Sequence, residues 1–321
     1  MTDWFTTDTC GRVQIEITNY CNARCPQCSR EDFILAGRSD RLNSRHITME
    51  QIDNWFTPFN WDNLSKIHFC GDIDEPTLNP ELIQMIEYFK GDRFPKLNDI
   101  AIATNGGTRN IKFWQDLGTQ PVKVVFGIDG LEDTNHLYRR NVRWDKLYQN
   151  FTAFIAAGGR AIWQFIVFEH NEHQIDAAHQ LSKELGFESF QLIGSNRIQN
   201  EVKPIQTINH KLLENDIESN NVVCKANLNS GVDTFHDVYG NIFIDFNGQL
   251  LPCCWLGNQD KIEALKTQYD LNNGELSLHN HNFNEILSGE FWRKIHSDIT
   301  VHPTCIKKCK LNNRDTRYTI E

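Results

Sequence analysis

A strand, a polar turn and a helix follow one another repeatedly up to about residue 200. Short apolar or alternating runs end at Gly, Asn or Asp, and helical spacing follows, as in residues 81–90 and 175–185. This alternation predicts parallel βαβ units with right-handed crossovers. About six strands are expected under the usual strand signals. They fall at residues 13–17, 66–70, 99–103, 122–128, 163–168 and 190–193.

The pattern changes after Asn200. Residues 200–229 are polar and rich in Asn, residues 241–246 alternate, and Asn247-Gly248 marks a hairpin turn before Pro252-Cys253-Cys254. One helix is expected over residues 283–297. We therefore predict two domains, residues 1–200 and residues 201–321, the second being a small α+β extension.

Composition and charge limit the possible partners. The chain of 321 residues carries 32 Lys and Arg against 42 Asp and Glu, for a formal net charge of −10. This acidic balance counts against broad binding to nucleic acid, although it leaves a local basic groove open. No apolar run approaches the roughly 18 residues of a membrane helix, and the first residues lack a secretory signal. We expect a cytoplasmic protein without a membrane partner.

Ten cysteines are present, and they are grouped along the chain. Grouped cysteines without an export signal favour metal or redox chemistry over disulfides. Three of them, Cys21, Cys25 and Cys28, lie on one loop directly after the first predicted strand. Three thiolates leave one iron of a four-iron cluster open to a ligand. A zinc site completed by a distant residue is the alternative, but zinc loops usually use a two-residue gap at each cysteine pair.

The C-x3-C-x2-C spacing in this position resembles the radical S-adenosylmethionine (SAM) enzymes. The resemblance covers about residues 11–200 and implies an α/β fold, a partial (β/α)6 TIM-like barrel with a small C-terminal cysteine-rich extension. It also implies that Cys21, Cys25 and Cys28 hold a 4Fe-4S cluster whose open iron binds the amino and carboxylate groups of SAM. One electron then cleaves SAM to a 5′-deoxyadenosyl radical, which takes a hydrogen atom from the substrate. Gln27 stands where the family has an aromatic residue, so we expect different adenine contacts.

Two polar loops resemble the family's cosubstrate-binding segments. Glu75-Pro76 follows the second strand, where the resemblance implies a carboxylate that receives the SAM amino group. Glu75 is the first candidate and Asp74, which replaces the usual glycine, is the second; a solvated acidic turn is the alternative. Thr104 and Asn105 follow the third strand and are similar to the family's loop near the cosubstrate.

The next strands supply further candidates through the same resemblance. Asp129 resembles a family residue that accepts hydrogen bonds from the ribose hydroxyls of SAM. Tyr138-Arg139 resembles a pair in which the arginine binds the SAM carboxylate. Asp129 and Arg139 could instead be structural salt-bridge partners. Gln164 and Asn171, on the fifth strand and its loop, could contact ribose or substrate, or could be structural.

A second cysteine group lies in the extension. Gly248 to Cys253 resembles the G-x4-C hairpin of the SPASM and twitch extensions. This resemblance implies an auxiliary 4Fe-4S cluster. Its four ligands would be Cys224, Cys253, Cys305 and Cys309. A structural zinc with the same ligands is the alternative. Cys254 could replace Cys253 as the ligand, could be a buried thiol, or could be a catalytic hydrogen-atom donor to a substrate radical.

The resulting hypothesis is a radical SAM enzyme that abstracts hydrogen from a peptide or protein substrate. The alternative is a small-molecule epimerase, dehydratase or dehydrogenase acting on a sugar, an aminoglycoside or a nucleoside. A reductase such as flavodoxin or ferredoxin would supply the electron. The non-enzyme alternative is a metal-binding scaffold. Such a protein would keep the cysteines but would not need the cosubstrate loops.

Overall fold

A computed structural model describes most of the chain. The described residues are 6–35, 45–70, 73–194, 241–257, 267, 271, 274–297 and 317–320. None of the helices in these ranges combines the length and the apolar character that crossing a membrane requires.

The described strands form one mostly parallel sheet. Strands β1 to β6 lie side by side in sequence order and are parallel, which confirms the six strands expected from the sequence. Strand β7 adds in parallel beside β1, and β8 and β9 are antiparallel at the two edges. The strands are β1 Arg12–Ile15, β2 Lys66–Phe69, β3 Asp99–Thr104, β4 Lys123–Gly127, β5 Arg160–Ile166, β6 Ser189–Ile193, β7 Asn241–Ile244, β8 Leu250–Leu251 and β9 Arg317–Ile320.

The hairpin expected at Asn247-Gly248 is present between β7 and β8. Gly248 has a φ of +72°, a conformation that glycine adopts without steric cost. Because β7 pairs with β1 in parallel register, this hairpin continues the main sheet. Cys253 therefore follows a strand that belongs to the same sheet as the strand before Cys21.

Helices alternate with the parallel strands. In the described ranges they are α1 Ser29–Leu35, α2 Met49–Phe56, α3 Leu82–Phe89, α4 Ile111–Gly118, α5 Asn135–Tyr138, α6 Trp144–Ala156, α7 Ile175–Leu185, α8 Phe283–Leu287 and α9 Glu290–Ser297. The single helix expected over residues 283–297 is wrong, since α8 ends before Ser288 and α9 begins at Glu290. The Gly289 N–H turns back to the Ile286 carbonyl, which ends the first helix.

Aromatic packing joins the helices to one face of the sheet. The Phe126 ring on β4 lies 5.4 Å from Trp114 of α4 and 5.8 Å from Phe154 of α6, measured between ring centroids. Such buried rings contribute large apolar contact areas. Since side chains alternate along a strand, the next residue, Gly127, faces the opposite side of the sheet.

Helix α6 also fixes the loop after β3. The buried Asn150 amide donates to the carbonyls of Gly106 (2.7 Å) and Thr108 (2.8 Å). These two carbonyls lie directly after Asn105 in the polar loop that follows β3. The helix layer therefore determines the path of a loop at the carboxyl edge of the sheet.

Replacing Asn150 with Ala should destabilise the protein by about 2 kcal/mol, because the buried Gly106 carbonyl loses this donor and the Thr108 carbonyl keeps only the Trp114 ring N–H. A lower urea midpoint would show this. The matched control is Gln149→Ala, one residue away on the exposed face of α6, which should leave the midpoint unchanged. Equal midpoints for the two variants would contradict the role assigned to Asn150.

Candidate active site

The three-cysteine loop lies at the carboxyl edge of β1. Cys25 is 8% exposed, Cys21 and Cys28 are half-buried, and all three pack against the main core. The Cys28 N–H donates to the Cys25 carbonyl at 3.0 Å, immediately before α1 begins. The loop is thus a tight turn that places three sulfurs beside the ends of neighbouring strands.

Each of these sulfurs has a nearby N–H donor. Asn105 Nδ2 lies 3.7 Å from Cys21 Sγ, Arg139 Nη1 lies 3.9 Å from Cys25 Sγ, and the Arg30 backbone N–H lies 3.4 Å from Cys28 Sγ. Donors directed at sulfur stabilise negative charge on a thiolate. These donors would stabilise the thiolates once a metal has displaced the thiol protons.

Burial has the opposite effect while the sulfurs hold no metal. It raises the pKa of Cys25 to about 12 and raises the pKa of Cys21 well above its ordinary value, with Glu75 adding to the latter. Binding of iron would displace these protons, because thiol ligands coordinate as thiolates. The same loop is thus expected to bind metal more tightly as the pH rises.

The donor set fits a four-iron cluster. In the described part of the chain, no three His, Cys, Asp or Glu side chains stand close enough together to hold one metal ion. In a cluster each thiolate binds a different iron, so its ligands lie farther apart than those of a single zinc ion. Three cysteine side chains on one loop supply the donor type that an iron–sulfur cluster requires.

Glu75 lies beside this loop and is 1% exposed. Its Oε1 accepts from the Thr104 hydroxyl (2.5 Å) and from the hydroxyl and N–H of Thr77, and its Oε2 accepts from the Asn105 N–H at 2.7 Å. Burial raises the pKa of Glu75, while these four hydrogen bonds oppose the rise. A carboxylate oxygen has about two lone pairs, so Oε2 keeps one for a further donor.

Thr104 and Asn105 are brought to the same place. The Asn105 amide donates to Asn22 Oδ1 at 2.8 Å and its Oδ1 accepts from the Gly107 N–H at 2.8 Å. The loop after β3 is therefore tied both to Glu75 and to the cysteine loop. Asp74, half-buried, precedes Glu75 at this edge.

Asp129 and Arg139 form a buried ion pair between β4, β5 and the cysteine loop. Arg139 Nε donates to Asp129 Oδ2 at 2.6 Å, and Asp129 Oδ1 accepts from the Ile166 N–H at 2.6 Å. Burial alone would lower the pKa of Arg139, but the charges of Asp129 and Cys25 outweigh it and raise that pKa. The guanidinium is thus a fixed positive charge beside Cys25.

The structure gives Gln164 and Asn171 different surroundings. The Asn171 amide donates to the carbonyls of Asp129 and Ile166, and its Oδ1 accepts from the Phe168 N–H, so its contacts hold the loop after β5. Gln164 pairs in register with Gly127 and shares its face of the sheet. Its half-buried carboxamide makes no hydrogen bond to another described residue.

The second cysteine group is described only in part. Cys253 directly precedes the short turn Cys254–Leu256 after β8, and both cysteines are half-buried against the core. Cys224, Cys305 and Cys309 lie outside the described residues.

Sequence reasoning missed several residues that build the site. Asn22 and Thr77 anchor Asn105 and Glu75, and their only signal was their place inside polar loops. Gly127 was missed as well, although it lies two residues before Asp129. A Cβ atom there would lie 2.5 Å from Arg139 Nη2, so glycine makes room for the guanidinium.

Comparison with known proteins identifies the family. The model of the Radical SAM superfamily matches residues 15–181, more than half of the chain. The chain belongs to the radical SAM superfamily, and it is an enzyme. Membership implies a 4Fe-4S cluster and SAM as cofactors, in keeping with the sulfur donors described above.

A curated relative shares about a quarter of its aligned residues with this chain. The chain is 26% identical over 191 residues to GTP 3′,8-cyclase of Rhodopseudomonas palustris (strain TIE-1), covering 56% of this chain and 52% of the relative. It thus spans about half the length of this curated relative.

Solved structures show the same fold. Streptococcus suis SuiB bound to precursor peptide SuiA superimposes with a TM-score of 0.56 at 13% identity, covering 91% of this chain and 67% of SuiB. The anSMEcpe structure with bound AdoMet superimposes with a TM-score of 0.56 at 15% identity, covering 89% of this chain and 79% of that one.

Proposed function

We propose that this enzyme binds a 4Fe-4S cluster through Cys21, Cys25 and Cys28 and cleaves SAM reductively to abstract hydrogen from a peptide or protein. The observation that carries the first part is the N–H donor beside each sulfur at the carboxyl edge of the sheet. When bound, the cluster supplies the electron for SAM cleavage. A reductase such as flavodoxin or ferredoxin would deliver that electron in the cytoplasm.

The residues around the loop have distinct roles in this proposal. Glu75 Oε2 accepts from the SAM amino group, with Asp74 as the second acceptor, and Thr104 holds the Glu75 carboxylate in place. Asn105 ties the loop after β3 to Glu75 and to Asn22 of the cysteine loop. Arg139 offers its remaining donors to the SAM carboxylate.

The outer residues complete the proposed binding face. Asp129 orients Arg139 and lies next to the ribose position, while Asn171 holds the loop around it. Gln164, whose side chain makes no hydrogen bond to another described residue, faces the substrate. Cys254 remains a candidate hydrogen-atom donor.

A peptide substrate is supported by the extent of the structural similarity. SuiB is bound to a precursor peptide in a structure that superimposes on 91% of this chain with a TM-score of 0.56. In line with this proposal, the extension carries an auxiliary 4Fe-4S cluster, or a zinc ion, on Cys224, Cys253, Cys305 and Cys309 in a SPASM or twitch arrangement.

A second candidate is a nucleotide substrate. It is favoured by the sequence similarity to GTP 3′,8-cyclase, which extends over 191 residues. Of the small-molecule classes weighed from the sequence, a nucleoside derivative is the one to which this relative points.

Transfer of deuterium to 5′-deoxyadenosine separates the two candidates. The reduced enzyme would be incubated with SAM and either a uniformly deuterated peptide digest or deuterated GTP. We expect deuterium in 5′-deoxyadenosine from the peptide pool. Labelling from GTP alone would replace the peptide proposal with the nucleotide candidate, and 5′-deoxyadenosine that never forms would refute both.

A further inference from the structure

The Arg139–Asp129 pair is aimed at one particular cysteine. Arg139 Nη1 lies 3.9 Å from Cys25 Sγ, while its Nε is held at 2.6 Å by Asp129. The side chain of Asp129 is fully buried and that of Arg139 is 17% exposed. A buried charge pair acts on its neighbours with little screening by salt.

Three elements fix the position of this guanidinium. Asp129 is anchored to β5 through the Ile166 N–H, so the carboxylate cannot follow a different arginine conformer without losing that bond. Gly127 on β4 provides the space, since a Cβ there would collide with Nη2. The Tyr138 ring, whose centroid lies 5.4 Å from Arg139 Cζ, covers it further.

We propose that the Arg139–Asp129 pair sets the reduction potential of the cluster bound at Cys25, with Arg139 raising the potential and Asp129 lowering it. This inference rests on the cluster assignment in the proposed function. Arg139 and Asp129 are positioning residues in this role, because they act through the Cys25 ligand and not on the substrate.

The signs follow from electrostatics. Reduction adds one negative charge to the cluster, so a nearby cation and an N–H donor to a ligand sulfur favour the reduced state. A nearby carboxylate disfavours it.

Redox titration followed by electron paramagnetic resonance, without SAM, tests the proposal. Arg139→Gln should shift the midpoint potential of the Cys21/Cys25/Cys28 cluster to more negative values. Asp129→Asn, which removes the negative charge and keeps one of the two acceptor oxygens, should shift it to more positive values. Gly127→Ala should act like Arg139→Gln, because its methyl group displaces the guanidinium without removing it.

Arg143→Gln is the matched control. Arg143 is on the surface, with 77% of its side chain exposed and an exposed partner, Asp145, so its loss should leave the potential unchanged. Opposite shifts in the two principal variants cannot come from general loosening of the site, which would move both the same way.

Three results would overturn the proposal. Shifts of the same sign in Arg139→Gln and Asp129→Asn would indicate a purely structural pair. Unchanged potentials combined with a weaker affinity for SAM would mean that the pair serves only the cosubstrate. Wild-type protein that assembles no four-iron cluster would refute the cluster assignment itself, and iron and sulfide analysis of the same sample identifies that case.

Discussion

Replacing Cys21, Cys25 and Cys28 together with Ala should abolish formation of 5′-deoxyadenosine from SAM. The variant loses every protein ligand assigned to the cluster, and without the cluster no group on this loop can deliver the electron. Iron and acid-labile sulfide should each fall by about four per chain. Chromatographic analysis of the SAM products and metal analysis of anaerobically purified protein provide the two measurements.

Cys10→Ala is the control for this experiment. Cys10 is a fully buried core thiol that donates to the Arg12 carbonyl at 3.3 Å, away from the loop. Its replacement should leave the iron content and the SAM cleavage intact. If the triple variant retained SAM cleavage, the assignment of the three ligands would be wrong.

Replacing Glu75 with Leu should cause the second large effect, the loss of both stability and SAM cleavage. Four donors, from Thr77, Thr104 and Asn105, would lose this acceptor in the protein interior; of these, the Thr77 hydroxyl keeps the Thr108 hydroxyl as a partner at 2.6 Å. Each unsatisfied donor costs about 1–3 kcal/mol, so we expect destabilisation of at least about 3 kcal/mol even after local relaxation. A fall in the urea midpoint, together with 5′-deoxyadenosine analysis, measures the two effects.

Two further variants sharpen the Glu75 experiment. Glu75→Gln keeps the shape and one acceptor oxygen, so it should fold better than Glu75→Leu while binding SAM more weakly than the wild type. Glu87→Leu, on the exposed side of α3 with only a surface partner in Lys90, should change neither property. Normal stability of Glu75→Leu would show that the buried network does not depend on this carboxylate.

Much of the sheet was predictable because burial leaves a clear pattern in the sequence. Residues 13–17 and 122–128 read as strands through their apolar positions, and the polar turns after them fell at the carboxyl edge of the sheet. That edge is where the structure brings together the cysteine loop, Glu75 and Asn105. Parallel topology alone implies this convergence.

The internal connections of the site were not predictable from local pattern. Only the register between β4 and β5 brings the Ile166 N–H to Asp129, and that register depends on contacts distant in sequence. The same applies to Asn150, which reads as an ordinary polar residue on a helix until α6 packs over the loop after β3. The addition of the β7–β8 hairpin to β1 is likewise a tertiary contact, which hydrophobic periodicity does not encode.

The electron paramagnetic resonance spectrum of the reduced wild-type protein, recorded with and without SAM, tests the cluster assignment most directly. We expect the signal of a reduced four-iron cluster that changes when SAM is added, because three cysteines leave one iron open to the cosubstrate. The triple cysteine variant should lack this SAM-sensitive signal. A spectrum that SAM does not alter, in protein with a full complement of iron and sulfide, would contradict the central claim that this loop holds an open cluster.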